Sequence, residues 1–284
     1  MRIGTNTAAM NTYSNLTAAN ASKTGSLAKL SSGLRINKAG DDAAGLAISE
    51  KMKNQVSGLT QATRNAQDGI SLIQPAEGGL SETYSILNRM RDLTVQASND
   101  TNTITDRKAI QTEIDSLSTE VQRISKDTQF NTKSLLDGAT GTTVKFQIGA
   151  NSGQNISLTI ADMSATKLLK TTFDTTTGAI TGTAGIQVVE GSNFDNQLKT
   201  LDDAISSVST ERANLGATQN RLDHTVNNLA TKKENLSEAN SRIVDVDMAE
   251  EMTSFTKSNI LAQAATSMLA QANQMPQSVL SLLQ

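Results

Sequence analysis

The chain has 284 residues, enough for one or two domains with a sizeable core, yet only two Tyr, five Phe and no Trp. Burial must therefore come from Leu, Ile, Val, Met and Ala, the residues of helix seams, which favours long helices over a compact globular core. The 25 basic and 28 acidic residues leave a formal charge of −3 without a basic stripe to track phosphates, and zero cysteines exclude disulfides, thiolate metal sites and cysteine nucleophiles.

At the amino end, Met1 to Thr7 carries one charge and no apolar stretch follows it, so an ordinary cleavable signal peptide is not expected. No window approaches 18 apolar residues, which excludes a membrane-spanning helix. Positions 1–34 read as a soft helix with Tyr13, Leu16, Leu27, Leu30 and Leu34 on one side. Asp41 and Asp42 after Gly40 are plausible N-caps for a first long helix. Its apolar positions are Leu59, Ala62, Ala66, Ile73, Ala76, Leu80, Leu87 and Met90, and Pro75 inside it predicts a kink or interruption. Asn99 to Asn102 reads as a break before a second helix with Ile110, Ile114, Leu117, Val121 and Ile124 on one stripe.

Between 131 and 194 glycines separate short runs that alternate with period two, such as Val144 to Ile148 and Ile156 to Ile160, as hairpin strands do. The Thr-rich stretch from Thr171 to Thr183 reads as a surface turn or loop. From Leu198 to Ile243 a strict 3-4 spacing selects fourteen positions, ten of them Leu, Ile or Val; the exceptions are Arg212, Gln219, Lys233 and Asn240. Such a helix of about 46 residues spans roughly 70 Å. The last segment is again soft, with Met248, Met252, Phe255, Ala262 and Leu269 on one stripe, and Pro276 is expected to end or bend it.

The fold class predicted from these elements is mainly α: a long antiparallel helical or coiled-coil rod formed by amino- and carboxy-terminal segments, with a small β-hairpin-rich insertion at its tip. Its parts are 43–130 and 195–244 for the rod, 131–194 for the insertion, and 1–42 and 245–284 for an inner pair. That pair has too little apolar area to offset its ordering entropy and is expected to fold only on contact with other subunits.

Two motifs resemble the amino-terminal signature of the bacterial flagellins: Leu30-Ser31-Ser32-Gly33-Leu34-Arg35-Ile36-Asn37 and Ala39-Gly40-Asp41-Asp42-Ala43-Ala44-Gly45-Leu46-Ala47-Ile48. The likeness continues through Asn65 to Gln74, Thr128 to Asn131 and Phe146 to Asn151, and at the other end through Ala213 to Ala217, Ser241 to Ile243, Asp245 to Ala249 and 263–283. It covers about 1–152 and 196–284, and the short middle resembles the minimal subunits of Gram-positive rods. The resemblance implies an extracellular filament subunit, exported without a cleaved signal peptide through the flagellar type III secretion channel. Its partners would be copies of itself, an export chaperone, and the filament cap and hook-filament junction proteins. It also implies recognition by the flagellin-sensing Toll-like receptor of hosts.

Carried over residue by residue, the resemblance implies Arg89, Leu93 and Glu113 as receptor contacts. It implies Phe255, Ile260, Leu261, Met268, Leu269, Leu280 and Leu283 as chaperone contacts, and Leu27, Leu30, Leu34, Met248 and Met252 as subunit contacts. No cofactor or metal is implied. The plain reading of 88–96 is a solvated helix face, and that of the carboxy-terminal stripe is ordinary subunit core. His224 is the only histidine and no His-Glu-x-x-His motif exists, so the chain is not expected to be an enzyme. The glycines near Gly182 and Gly185 lack the flanking strand and helix of a phosphate loop. A hook-filament junction protein and a cytoplasmic coiled-coil signalling or scaffold protein remain the alternatives.

Overall fold

The computed structural model describes residues 6–138, 143–171, 185–189 and 193–282. Six helices and two short hairpins follow in the order α1 (Thr7–Ser32), α2 (Ala43–Ala97), α3 (Ile104–Asp127), β1 (Gln129–Phe130), β2 (Lys133–Ser134), β3 (Thr143–Gln147), β4 (Asn155–Thr159), α4 (Ala165–Leu168), α5 (Phe194–Val244) and α6 (Met248–Leu282). The chain divides into a terminal unit, Met1–Val56 with Lys233–Gln284, and a central unit, Ser57–Lys232. Helices α2 and α5 contribute residues to both.

The core of the central unit is the predicted apolar stripe of α2. Ala66, Ile73, Ala76, Leu80, Leu87 and Met90 are all inaccessible to solvent. Against it pack Ile110, Ile114 and Val121 of α3 and Leu201, Val208, Leu215 and Leu222 of α5. Both neighbours run antiparallel to α2: Arg89 pairs with Glu113 of α3, while Arg91 pairs with Asp202 and Glu77 with Arg212 of α5. These half-exposed ion pairs contribute little stability individually, and apolar burial does most of the holding.

The stripe on α5 is not the strict 3-4 seam predicted from its sequence. Residues 201, 208, 215, 222 and 229 are buried as expected, but their partners are Ala204, Glu211 and Thr218, each one position before the predicted Ile205, Arg212 and Gln219. Those three are half-buried at the edge, where the Arg212 guanidinium stands 5.8 Å from the Tyr84 ring centre. The shift follows from α5 facing α2 on one side and the 161–170 segment on the other, where Glu211 accepts from Ala161 N–H at 3.3 Å, which widens the buried stripe beyond a coiled-coil seam.

Pro75 neither ends nor interrupts α2. The hydrogen bond its ring removes is lost on a helix whose neighbouring Ile73 and Ala76 are fully buried, and this packing holds the helix together across the missing bond. The predicted break at Asn99 to Asn102 is present. Beyond it, Thr103 opens α3 with a reciprocal capping box to Asp106, and those hydrogen bonds hold the Asp106 carboxyl below its ordinary pKa.

The predicted period-two runs form one antiparallel hairpin, with Phe146 opposite Ile156 and Val144 opposite Leu158. Its place is more specific than chain order suggested: it lies back along α2, where Asn65 donates to the Gln147 carbonyl at 2.9 Å. A Cβ on Gly58 would stand 2.7 Å from that of Ala150, so the close approach of hairpin turn to helix requires glycine there. The hairpin thus covers the stretch of α2 beyond the end of α3, which stops opposite Gly79 with Thr128. Farther along the chain the Gln111 side chain donates to the Ile186 carbonyl and accepts from Val188 N–H, acting as a strand partner for that segment. The predicted loop from position 172 to Thr183 lies outside the described residues.

Candidate functional site

In the terminal unit α1 and α6 lie antiparallel. Asn6 donates to the Ala272 carbonyl at 2.7 Å, Lys23 to the Asn259 side chain at 2.9 Å, and Lys29 stands 3.8 Å from Glu251. The surface between them is built from small residues: Ala19, Ser26, Ser258, Ala262, Ala265 and Ala272 are the buried ones. Leu16, Leu30, Phe255 and Leu269 are half-buried beside them, but most of the large apolar side chains point away. Met10, Tyr13 and Leu27 on α1 are 53–64% exposed, and Met248, Met252, Ile260, Leu261 and Met268 on α6 are 49–59% exposed.

This arrangement inverts that of a self-sufficient helix pair, which buries its large residues. Of eleven exposed large apolar side chains among the described residues, nine belong to the terminal unit, so the excess is local rather than a general feature of the surface. Met252, Ile260 and Leu261 line a groove of about 530 Å³ on α6, and Ala19, Ala265 and Met268 line one of about 400 Å³ between α6 and α1. Apolar concavities beside exposed apolar side chains can take up another helix face by burial alone.

The signature around Gly33 to Gly45 builds the clasp from which both terminal helices leave. Gly33 ends α1 in the left-handed region at φ 71°, a conformation that suits glycine. Arg35 N–H then donates to the Val244 carbonyl at 2.7 Å, Val246 N–H to that of Gly33 at 3.1 Å, and the Arg35 guanidinium to Ile243. Ile36 and Val244 are buried beneath these bonds. Of the two predicted N-caps only Asp42 serves α2, accepting from Gly45 N–H at 2.9 Å. Asp41 instead accepts from the backbone of Lys38 and Asn37, bonds that lower its pKa. A Cβ on Gly45 would come within 2.5 Å of the Asp42 carboxylate and 2.7 Å of the buried Ile36, so a side chain here would disturb both the cap of α2 and the packing under it. Asn240, read as a polar seam residue, accepts from the buried Ser49 hydroxyl at 2.8 Å and so sets the register of α5 against α2 in this unit.

The residues assigned by resemblance are placed unevenly. Leu27, Met248 and Met252 are exposed, while Leu30 and Leu34 are half-buried. Ile260, Leu261 and Met268 are exposed, and Phe255 and Leu269 half-buried. The side chain of Leu280, and Leu283 altogether, lie outside the described residues. Position 276 does not end α6, which continues to Leu282. In the central unit Arg89 donates through Nε and Nη2 to one oxygen of Glu113 at 3.0 and 2.7 Å, with both side chains about half exposed. Leu93 differs from what the resemblance implied of a surface contact: it is 2% exposed, packed in the core with Met90 and Ala97, because it falls on the inward stripe three residues after Met90. Met10 and the clasp residue Arg35 were missed, the first because α1 has no sharp apolar period and the second because its partners lie some 208 positions away.

His224 is exposed on α5, and among the described residues no cluster of three or more His, Asp or Glu is placed to hold a metal ion. No described helix is long and apolar enough to cross a membrane.

Comparison with known proteins bears on the same two ends of the chain. Residues 3–140 match the family model of the bacterial flagellin N-terminal helical region, and residues 198–283 that of the bacterial flagellin C-terminal helical region. The chain is 51% identical to a flagellin of Bacillus subtilis and 50% identical to one of Halalkalibacterium halodurans, in each case over the whole of both chains. A solved structure of a putative flagellar hook-associated protein from Vibrio parahaemolyticus is similar in fold alone, with a TM-score of 0.55 at 16% identity over 72% of this chain and all of that one. With two helical ends that match family models and an unsatisfied apolar surface on the terminal pair, the chain belongs to the bacterial flagellins, the structural subunits of the flagellar filament.

Proposed function

We propose that the terminal unit is the polymerising part of this filament subunit, and that the exposed apolar faces of α1 and α6 are covered by neighbouring copies in the extracellular filament. The observation that carries the reading is that the fully buried residues of the helix pair are all alanine or serine while eight large apolar side chains of the two helices stay exposed. A head-to-tail contact whose rotation does not close extends into an open helical polymer, so growth needs no further chemistry. Positions 1–42 and 245–284 gain most of their order from that contact, because the pair alone buries mainly alanine and serine. Hydrogen exchange tests this: amides of 7–34 and 248–274 are expected to exchange rapidly in the monomer and to become strongly protected in filaments. Equal protection in both states would overturn it.

The same exposed face on α6 supports a role for Ile260, Leu261 and Met268, with Phe255 and Leu269, in binding an export chaperone that shields them before secretion through the flagellar channel. At the filament's ends, cap and hook-filament junction proteins would meet the same unit.

On the central unit, the half-exposed Arg89 and Glu113 pair supports recognition by the flagellin-sensing host receptor, with Leu93 acting from beneath as the packing that fixes the helix face. Arg89→Ala is expected to lower receptor activation by the monomer by about tenfold, the value of one charge-assisted contact. An unchanged response in a reporter-cell assay would remove Arg89 from the site.

A further inference from the structure

We propose that Met10, Met248, Met252 and Met268 form an oxidation-sensitive set: conversion of their thioethers to sulfoxide prevents the subunit from joining a filament. This rests on the assembly reading of the terminal unit. All four are 49–64% exposed in that unit, whereas Met90 and Met163 of the central unit are buried at 0 and 5%. An oxidant acting on the folded monomer therefore meets the assembly surface first. The chain contains no cysteine, which leaves methionine as its only sulfur.

The step balances with a peroxide as oxidant. The methionine sulfur donates a lone pair to one oxygen of hydrogen peroxide, the O–O bond breaks, and proton transfer to the departing oxygen releases water. Sulfur loses two electrons and the peroxide gains them. The product carries a strongly polar S–O acceptor on a side chain that had been apolar. Met252 lines the groove on α6 with Ile260 and Leu261, and Met268 lines the groove between α6 and α1 with Ala19 and Ala265. Thr253, Thr256 and Lys257 share the first groove and Asn15, Ser22 and Ser258 the second, with the two threonine hydroxyls already donating to α6 carbonyls, so a neighbouring subunit closing over the sulfoxide must either redirect these donors or strip a strongly hydrated acceptor of its water, at a cost in both cases. Methionine otherwise suits such a surface, being unbranched and adaptable, and leucine matches its volume.

The test uses the full-length monomer, hydrogen peroxide, and seeds sheared from untreated filaments. Peptide mass spectrometry is expected to show sulfoxide at the four exposed positions before Met90 and Met163. Elongation followed by light scattering should fall about tenfold or more, with helical circular dichroism unchanged. Methionine sulfoxide reductases for both epimers should restore it. A variant with Met10→Leu, Met248→Leu, Met252→Leu and Met268→Leu is compared with itself: whatever elongation rate the substitutions leave, peroxide treatment should not lower it further. Full elongation by oxidised native chain, or equal loss in the leucine variant, overturns the proposal. If even untreated chain fails to elongate, the assembly reading itself falls, and this proposal with it.

Discussion

Replacing Ile260 and Leu261 together by aspartate is expected to abolish elongation of filament seeds while leaving the helical content of the monomer unchanged. The two side chains are 59 and 51% exposed, so the monomer does not depend on them, and surface substitutions of this kind usually change stability by less than about 0.5 kcal/mol. In the polymer the account differs. Burying the exposed half of such a side chain stabilises by roughly 1 kcal/mol, and that gain is lost at both positions. Two carboxylates closed inside an apolar interface add a desolvation penalty of several kcal/mol each unless they find partners. A total well above about 5 kcal/mol is a factor of more than roughly 10³ in the affinity of one incoming subunit, enough to stop growth. The same variant is expected to lose export-chaperone binding in a pull-down. Normal growth by electron microscopy and light scattering would show that this face of α6 is not a subunit contact.

Leu215→Ala is expected to destabilise the monomer by about 2–5 kcal/mol. Leu215 is fully buried on α5 within the core of the central unit. Its truncation leaves a cavity between long helices that can close only by bending. For a unit of this size each kcal/mol corresponds to about 2–4 °C in Tm, so thermal denaturation should shift down by roughly 5–15 °C. Ile260→Ala, which removes a similar volume from an exposed position, should shift it by little. An equal shift in both variants would contradict the division between a self-sufficient central core and a terminal surface awaiting a partner.

The contrast between these two leucine-sized positions also separates what was legible in the chain from what was not. On α2 every one of the eight predicted apolar positions is buried, because a helix that packs on one side must repeat its apolar residues at its own period. The break before α3 and the β3–β4 hairpin were equally readable, since caps and alternation are local chemistry. The seam on α5 was displaced by one residue at three positions, from 205, 212 and 219 to 204, 211 and 218, because α5 faces more than one neighbour, a fact its own sequence does not carry. Pro75 was read from local bonding alone as a kink or an interruption, and the helix runs through it between buried residues on either side.

The signature motifs were informative in a different way. They marked family before any of their residues could be given a task, and the tasks became clear only across distance: Gly33 and Arg35 meet Val244 and Val246, and Ser49 meets Asn240. Resemblance also placed Leu93 on a surface that the structure assigns to the core.

Helix length, the long α2 stripe, the hairpin pairing and family membership are thus properties of residue order, because each depends on neighbours within one or two turns or on a motif that survives as a string. Which face of each helix stays uncovered is a property of the packed molecule. The terminal helices have weak apolar periods, so only their antiparallel contact showed that alanine and serine are buried while Met10, Met248, Met252, Met268, Ile260 and Leu261 stay outside, with Leu16, Leu30, Phe255 and Leu269 half-buried at the seam. That choice is made by the close approach of two backbones, which fully buries only small side chains.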